Sequence, residues 1–375
     1  MFTPKLDLSR VQRLLIIRLS SIGDVTHALP LSAALHEAFP NLEITWIVEE
    51  MSAEIVTGNP TLQEVIVVPR SRWKQGRWRS PQVWREYFAF MKALRARNFD
   101  VTLDLQGYAK SALMALATGA KHRYGWWRLR DGSNLVSHSL PRRPQSLHRV
   151  DWFLDVGRAF GADPKRVTFP FAIPEAAQSR VEALLTTGGL YSQKPYAVLN
   201  CAVGDQTRRW GAQRYAEVAQ KLAQRFGLPS VLIGSSKDSP LCEEVSALAL
   251  EDGKWPSEVI APFSLAGQTS LKELAAMLKG CTVHICGDTG SAHIAAAVEC
   301  PVVALYGPTD PAMAGPWGQS DHVLSHRELC AATCSVQQCV YTHAGDSASQ
   351  EKTARCLAAI TVAEVLQKVE SVLYE

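Results

Sequence analysis

The sequence has no long hydrophobic run. At its N-terminus, MFTPKLDLSRVQRLLIIRLSS offers only Leu14 to Ile17 as an uninterrupted apolar stretch. That is too short for the core of a secretory leader, and no small-residue cleavage site follows it. Nowhere else does an apolar run approach the ~20 residues that span a bilayer. The expectation is a cytoplasmic protein whose nine cysteines are mostly thiols. Gly-x-Gly-x-x-Gly does not occur, which excludes the usual dinucleotide fingerprint. Asp-x-Asp does not occur either, so a common carboxylate pair for holding a metal ion against a diphosphate is missing. Cys330, Cys334, Cys339 and Cys356 are spaced C-x3-C-x4-C-x16-C, not one of the paired Cys-x-x-Cys spacings of zinc sites. They read as ordinary thiols, with a structural cluster as the alternative. Cys281, Cys286 and Cys300 lie in apolar contexts and read as core.

What is present is the composition of a globular protein: 375 residues, 47% hydrophobic and 20% charged, enough for two cores. Charge is unevenly spread. Residues 1–170 carry 24 Lys and Arg against 15 Asp and Glu, a net of +9, whereas the remainder carries 15 against 21, a net of −6. A basic half joined to an acidic half points the first toward something anionic. In both halves short apolar runs alternate with amphipathic helical stretches, the pattern of parallel strand–helix–strand units. RLLIIRL, EITWIVE and VTLDLQG read as strands, with helices over DVTHALPLSAALHEAF, WREYFAFMKALRARN and KSALMALATG. Leu29, Ala33, Ala34 and Phe39 keep to one stripe of the first helix before Pro40 ends it. The pattern loosens over the proline-rich stretch within 160–194, the expected linker. YAVLNC, SVLIGS, VHICGD and VVALYGPT then supply a second strand series. The expected fold class is α/β: two doubly wound domains, 1–175 and 176–360, facing a central cleft, with a final helix over 361–375. In such sheets ligands sit beyond the carboxyl ends of the strands, so the strand-to-helix loops carry the chemistry.

Four loops stand out. Ser20-Ser21-Ile22-Gly23-Asp24 follows the first strand and opens the first helix. Asp24 there is either a helix N-cap, which the position favours, or a catalytic carboxylate. Gly287-Asp288-Thr289-Gly290-Ser291-Ala292-His293 leads from VHIC into an Ala-rich helix. Free N–H groups and the positive dipole end at that helix start suit a diphosphate. His293 lies about one turn in. Arg208-Arg209-Trp210, after YAVLNC, could neutralise phosphate charge. Gly234-Ser235-Ser236-Lys237-Asp238, after SVLI, places an acid where ribose hydroxyls are commonly bound.

Together these loops resemble glycosyltransferase family 9, the heptosyltransferases of the lipopolysaccharide inner core, over nearly the whole chain. The stretches that carry the resemblance are SSIGDVTHALP, WIVEE, SPQVWRE, FDVTLDLQGYAKSA, the His148-Arg149 pair, RRW at 208–210, and GDTGSAHIAAA through YGPTDP. The resemblance, closest to the heptosyltransferase I branch, implies a GT-B fold of two Rossmann-like domains, the first binding the acceptor and the second a nucleotide sugar. It also implies inversion at the anomeric carbon with neither metal nor cofactor, Asp24 as general base, and a donor site of Arg208, Asp238, Thr269, Asp288, Thr289, Gly290 and His293. The implied donor is ADP-heptose and the implied acceptor the Kdo-lipid A core, reached from the cytoplasmic side at the inner membrane. The sequence departs from the family at three points. Arg208 stands where the family has Lys, exchanging a point charge for a planar fork; Asp238 stands where that branch has Glu; and the usual hydroxyl-rich loop reads Asn200-Cys201-Ala202-Val203-Gly204.

Residues 70–85, RSRWKQGRWRSPQVWR, hold six cations and three tryptophans. Arginines for the anions and indoles for an interface suit an anionic glycolipid acceptor. Arg72, Lys74, Arg77, Arg79 and Arg123 are therefore placed on the acceptor side, with Gln106 and Lys110 of the QGxxKS loop. A nucleic-acid partner is not expected, because no recognised module is present and the second half is acidic. A family 9 transferase with another donor or acceptor, a nucleotide-sugar epimerase or phosphorylase on the same fold, and a two-lobed solute-binding protein are the competing readings. The missing Asp-x-Asp generates the first prediction: sugar transfer should survive excess EDTA unchanged, and a loss restored by Mg²⁺ or Mn²⁺ would overturn the metal-free reading.

Overall fold

The computed structural model describes residue 4 and residues 6–75, 80–191, 194–203, 209–251, 253–329, 342–344 and 352–374. The chain divides into two units, Met1–Ala172 and Ile173–Glu375, three residues from the boundary expected from the proline-rich stretch. In the first unit, strands β1 (Arg13–Ile17), β2 (Glu43–Glu49), β3 (Glu64–Val68), β4 (Val101–Asp104), β5 (His122–Gly125) and β6 (His138–Ser139) pair in parallel in the order β3-β2-β1-β4-β5-β6. Helices α1 (Ile22–Ala38), α2 (Ala53–Val56), α3 (Arg70–Gln75), α4 (Pro81–Ala96), α5 (Ala109–Thr118) and α6 (Arg149–Arg158) flank it. Leu14, Leu15, Ile16 and Ile17 are all fully buried, because helices on both faces leave the central strand no wet side. That burial is why β1 reads as a continuous apolar run.

Helix α1 corrects the single-stripe reading. Gly23, Val25 through Ser32, Ala34 and Leu35 are all buried, so the helix is enclosed on nearly every side, with α6 against it. Pro30 lies inside it, at the cost of one backbone hydrogen bond.

The second unit repeats the plan. Strands β7 (Ala197–Asn200), β8 (Ser230–Leu232), β9 (Phe263–Ser264), β10 (Val283–Gly287), β11 (Val302–Tyr306) and β12 (Val323–Ser325) form a parallel sheet in the order β12-β11-β10-β7-β8-β9. Strands β13 (Thr342–Ala344) and β14 (Lys352–Ala354) make a separate antiparallel pair. Helices α7 (Glu175–Thr187), α8 (Ala212–Phe226), α9 (Ser239–Leu250), α10 (Leu271–Gly280), α11 (Gly290–Ala297), α12 (Pro311–Ala314), α13 (Arg355–Ala358) and α14 (Val362–Tyr374) complete the unit. The last of these is no appendage. Val365, Leu366 and Val369 enter the same core as Leu222, Val245 and Ile285. Cys281, Cys286, Cys300 and Cys356 are buried, whereas Cys330, Cys334 and Cys339 lie outside the described residues.

In each sheet the strand order reverses once, between β1 and β4 and between β7 and β10. The loops after those four strands diverge to opposite faces and leave a crevice at the carboxyl edge. The second core offers a direct test. Leu222 on α8 is fully buried, and Leu222→Ala should cost about 2–5 kcal/mol in chemical denaturation. A loss below about 1 kcal/mol, under that range, would mean that the position is not packed as described.

Candidate active site

In the first unit the chain leaves β1 through residues 18–21 and enters α1. Ser21 is the N-cap of α1, so Asp24 occupies the third helical position, from which its carboxylate accepts from the Ser21 backbone N–H. The same carboxylate is held by two cations. Arg18 Nη2 lies 2.6 Å from Oδ2 and Arg149 Nη1 lies 2.9 Å from Oδ1, while the Ser21 hydroxyl donates to Oδ2 at 3.2 Å. Burial alone would raise the Asp24 pKa, but Arg18 and Arg149 outweigh it and hold the carboxyl below its ordinary range.

Arg18 is itself buried. It donates to the Leu105 carbonyl at 2.6 Å, and its guanidinium faces the Phe153 and Trp126 rings at 5.3 and 5.8 Å. A pocket of about 240 Å³ opens over Asp24, lined by Arg18, Arg128, Arg130 and Arg149 together with Gln106, Tyr108 and Trp126. Four guanidinium groups thus share the pocket with one carboxylate, and two of them pair with it. Burial, then repulsion from Arg130 and Arg149, lowers the pKa of Arg128; an anionic ligand would relieve that repulsion.

The loop after β4 holds the loop after β1. Gln106 Oε1 accepts from Leu19 N at 3.0 Å and Ser20 N at 3.3 Å. Asp104, the buried last residue of β4, accepts from Gln106 N at 3.0 Å, Gly107 N at 2.8 Å and Ser111 Oγ at 2.9 Å. Gly107 has φ +71°, and a Cβ there would stand 2.6 Å from Trp126 Nε1 and 2.7 Å from the Arg128 carbonyl. Only glycine fits that turn.

The other acceptor-side residues expected from sequence lie elsewhere. Lys110 Nζ is 2.8 Å from Glu49 Oε1, which also pairs with Arg70. Arg123 donates to the carbonyls of Val136 and Ala120. Arg72 on α3 pairs with Glu86 at 2.6 Å, and Lys74 is exposed beside it. Among the described residues of that set, Gln106 alone lines the pocket. Arg77 and Arg79 lie outside the described residues.

In the second unit β10 delivers Asp288 and Thr289 to the start of α11, where Thr289 is the N-cap. Asp288 Oδ2 accepts from Thr309 Oγ1 at 2.6 Å, tying this loop to the YGPTDP segment. Ser291 Oγ lies 2.9 Å from Asn200 Nδ2, 3.0 Å from His284 Nε2 and 2.8 Å from Thr289 Oγ1. Ser291 thus serves the frame of the loop. Burial draws His284 down to about 4, so that frame is neutral. His293 is buried on α11. Asp238 Oδ2 accepts from Ser235 N at 2.8 Å and Ser235 Oγ at 2.6 Å, and Thr269 precedes Ser270, the N-cap of α10. These residues follow β8, β9 and β10 at the carboxyl edge of one sheet. Arg208 lies outside the described residues. Its neighbour Arg209 has a buried Nε with no hydrogen-bond partner among the described residues.

Sequence reasoning passed over Arg18, Asp104 and Glu49. Arg18 carried a signal, a cation inside the apolar run RLLIIRL. Arg149 was legible only as part of the His148-Arg149 pair, with no role attached.

Two doubly wound sheets with loop clusters at their reversal points form the GT-B fold of sugar transferases. Residues 87–344 match the model of glycosyltransferase family 9 (heptosyltransferase), and the chain belongs to that family. It is 30% identical to lipopolysaccharide heptosyltransferase 1 of Escherichia coli O18:K1:H7 (strain RS218 / NMEC) over 317 residues, 83% of this chain and 90% of the relative. Among solved structures, a glycosyl transferase family 9 protein from Veillonella parvula DSM 2008 is similar at TM-score 0.77 and 20% identity, covering 98% of this chain and 99% of that one. E. coli heptosyltransferase WaaC with ADP-2-deoxy-2-fluoro heptose is similar at TM-score 0.67 and 25% identity, covering 96% and 99%.

Asp104 supplies a pH test. Burial raises its pKa to about 6, against the partly offsetting hydrogen bonds from Gly107, Ser111 and Gln106. The folded state then holds the proton more tightly than the unfolded chain, so its ionisation destabilises the fold as pH rises from about 4 to about 6. Asp104→Asn should remove that slope, changing the stability difference from wild type by roughly 3 kcal/mol across the window, at about 1.4 kcal/mol per pH unit. Parallel stability profiles for the two proteins would show an ordinary carboxyl.

Proposed function

We propose that this glycosyltransferase moves a heptose from ADP-heptose to the Kdo-lipid A inner core, with inversion, without a metal ion, and with Asp24 as the general base. The observation that carries the reading is the Asp24 carboxylate fixed between Arg18 and Arg149 at the mouth of a four-arginine pocket. The match to family 9 and the similarity to lipopolysaccharide heptosyltransferase 1 support the donor and acceptor.

The reaction follows from the groups present. A sugar hydroxyl is a poor nucleophile, so a carboxylate must take its proton as the oxygen attacks the anomeric carbon. The bond to the diphosphate breaks with its electron pair leaving on phosphate oxygen, and a single displacement inverts the centre. Two arginines keep Asp24 ionised throughout the neutral range. This leaves it weakly basic but always in the receptive form. An acceptor carboxylate or phosphate in the pocket would compete for Arg149 and Arg128 and so restore basicity to Asp24 when substrate arrives. In the second unit, the N–H groups at the start of α11 and the loop bearing Arg208 and Arg209 suit the departing diphosphate. Asp238 and Thr269 belong to the nucleoside side, Asp288, Thr289, Gly290 and His293 to the diphosphate side.

The alternative role for Asp24 is structural and mainly ionic: to neutralise Arg18 and Arg149 while accepting from the Ser21 N–H at the start of α1. Asp24→Asn removes both ion pairs, so its melting temperature should fall. A purely ionic role would stop there, with turnover near wild type at a temperature where the variant is folded. As a base, Asp24 is worth about 10²–10⁴-fold. Stopped assays of ADP release with a lipid A-type acceptor should therefore show kcat at least a hundredfold down with donor affinity unchanged. Retention of more than about a tenth of wild-type kcat, well outside that range, would remove Asp24 from the chemistry.

A further inference from the structure

The outer surface of α4 and α5 is not what a solvated helix pair requires. Both helices cover one face of the first sheet and share its core, through Val83 and Leu94 of α4 and Met114 and Ala115 of α5. Their outward sides are apolar as well. Trp84 and Phe88 on α4 are 42% and 62% exposed, and Leu113 and Leu116 on α5 are 52% and 51% exposed. The Trp84 and Phe88 rings stack with centroids 5.9 Å apart. Isolated surface apolar residues need no explanation, but four on two adjacent helices form a patch.

The helices lie side by side with like ends together, since the Arg95 guanidinium near the end of α4 occupies the space over Gly119 at the end of α5. The opposite, N-terminal ends sit at the carboxyl edge of the sheet. There Tyr108, the N-cap of α5, also lines the Asp24 pocket. The patch therefore runs up to the lip of that pocket.

Its charge is one-sided. Helices α3, α4 and α5 carry seven cations, Arg70, Arg72, Lys74, Arg85, Lys92, Arg95 and Lys110, against a single acid, Glu86. Glu86 is paired with Arg72, and Glu49 of β2 pairs with both Arg70 and Lys110, which leaves Arg85, Lys92 and Arg95 with no ion-pair partner among the described residues. A second copy of the chain would have to bring these cations against themselves. A surface with apolar depth and negative headgroups satisfies both the rings and the charges.

We infer that the outer face of α4 and α5 docks this protein on an anionic lipid bilayer, with Trp84, Phe88, Leu113 and Leu116 entering the interface and Arg85, Lys92 and Arg95 meeting lipid phosphates. The inference rests on the lipid-acceptor reading above and adds the surface by which the enzyme reaches it. Docked this way, the Asp24 pocket opens beside the plane from which a lipid-anchored sugar projects.

The test uses the full chain and flotation with phosphatidylcholine vesicles, with and without phosphatidylglycerol. The wild-type chain should float with the anionic vesicles and be released by salt. Phe88→Glu with Leu116→Glu should weaken that binding at least about tenfold, as should Arg85→Glu with Lys92→Glu. Both variants should keep wild-type transfer to a deacylated, water-soluble acceptor. That last arm isolates the enzymatic reading, because a wild-type chain inert on every core acceptor would sink the activity and leave vesicle binding to be judged by itself. Failure of the wild type to bind anionic vesicles would overturn the docking face. So would variants that bind like wild type, variants that lose soluble-acceptor activity along with binding, or variants that merely split a wild-type dimer.

Discussion

The chemistry of this chain depends on one feature of parallel sheets: where the strand order reverses, two neighbouring loops part and leave a crevice. The reversal occurs once in each unit, at β1/β4 and β7/β10. The loops beside the first reversal bring Asp24, Gln106 and Arg18 together. Those beside the second carry Asp288, Thr289 and the segment leading to Arg208. A buried acid, Asp104, then stiffens the first crevice by collecting three donors around the turn after β4. The second is stiffened without charge, through Asn200, His284 and Ser291.

Electrostatically the first crevice is unbalanced by design of its sequence, not by its surroundings. Four arginines and one aspartate leave uncompensated positive charge in a small, half-closed space, where the effective dielectric is below that of water. Such a site discriminates by charge before shape, and it sets the protonation state of its own carboxylate.

Much of this was legible in the sequence and some was not, for identifiable reasons. The central strands announced themselves as apolar runs because they are buried on both faces. The loops after them announced themselves through small residues and acids. Strands β3, β5, β6, β9 and β12 and helices α3, α6 and α9 were missed because their local patterns are short or mixed. The helical stripe assigned to α1 failed because an element enclosed on nearly every side has little stripe to read. Among candidate site residues, Asp24 was singled out by its place after a strand. Arg18 and Asp104 were missed because a charge inside an apolar run looks like an interruption until its partner, far along the chain, is known. Arg123 was assigned to the acceptor from its Arg/Trp surroundings and Lys110 from its place on the QGxxKS loop; their side chains are engaged with backbone carbonyls and with Glu49.

The enclosure of α1 reaches beyond packing. A side chain on a surface loop inherits the loop's excursions, whereas Asp24 stands in the first turn of a helix wedged into the interior and shares its stillness. Whatever adjusts when a ligand enters the pocket must then be its neighbours. The arginines are long levers pivoting about a fixed point, so Arg128, Arg130 and Arg149 can shift while the Asp24 carboxylate keeps its address.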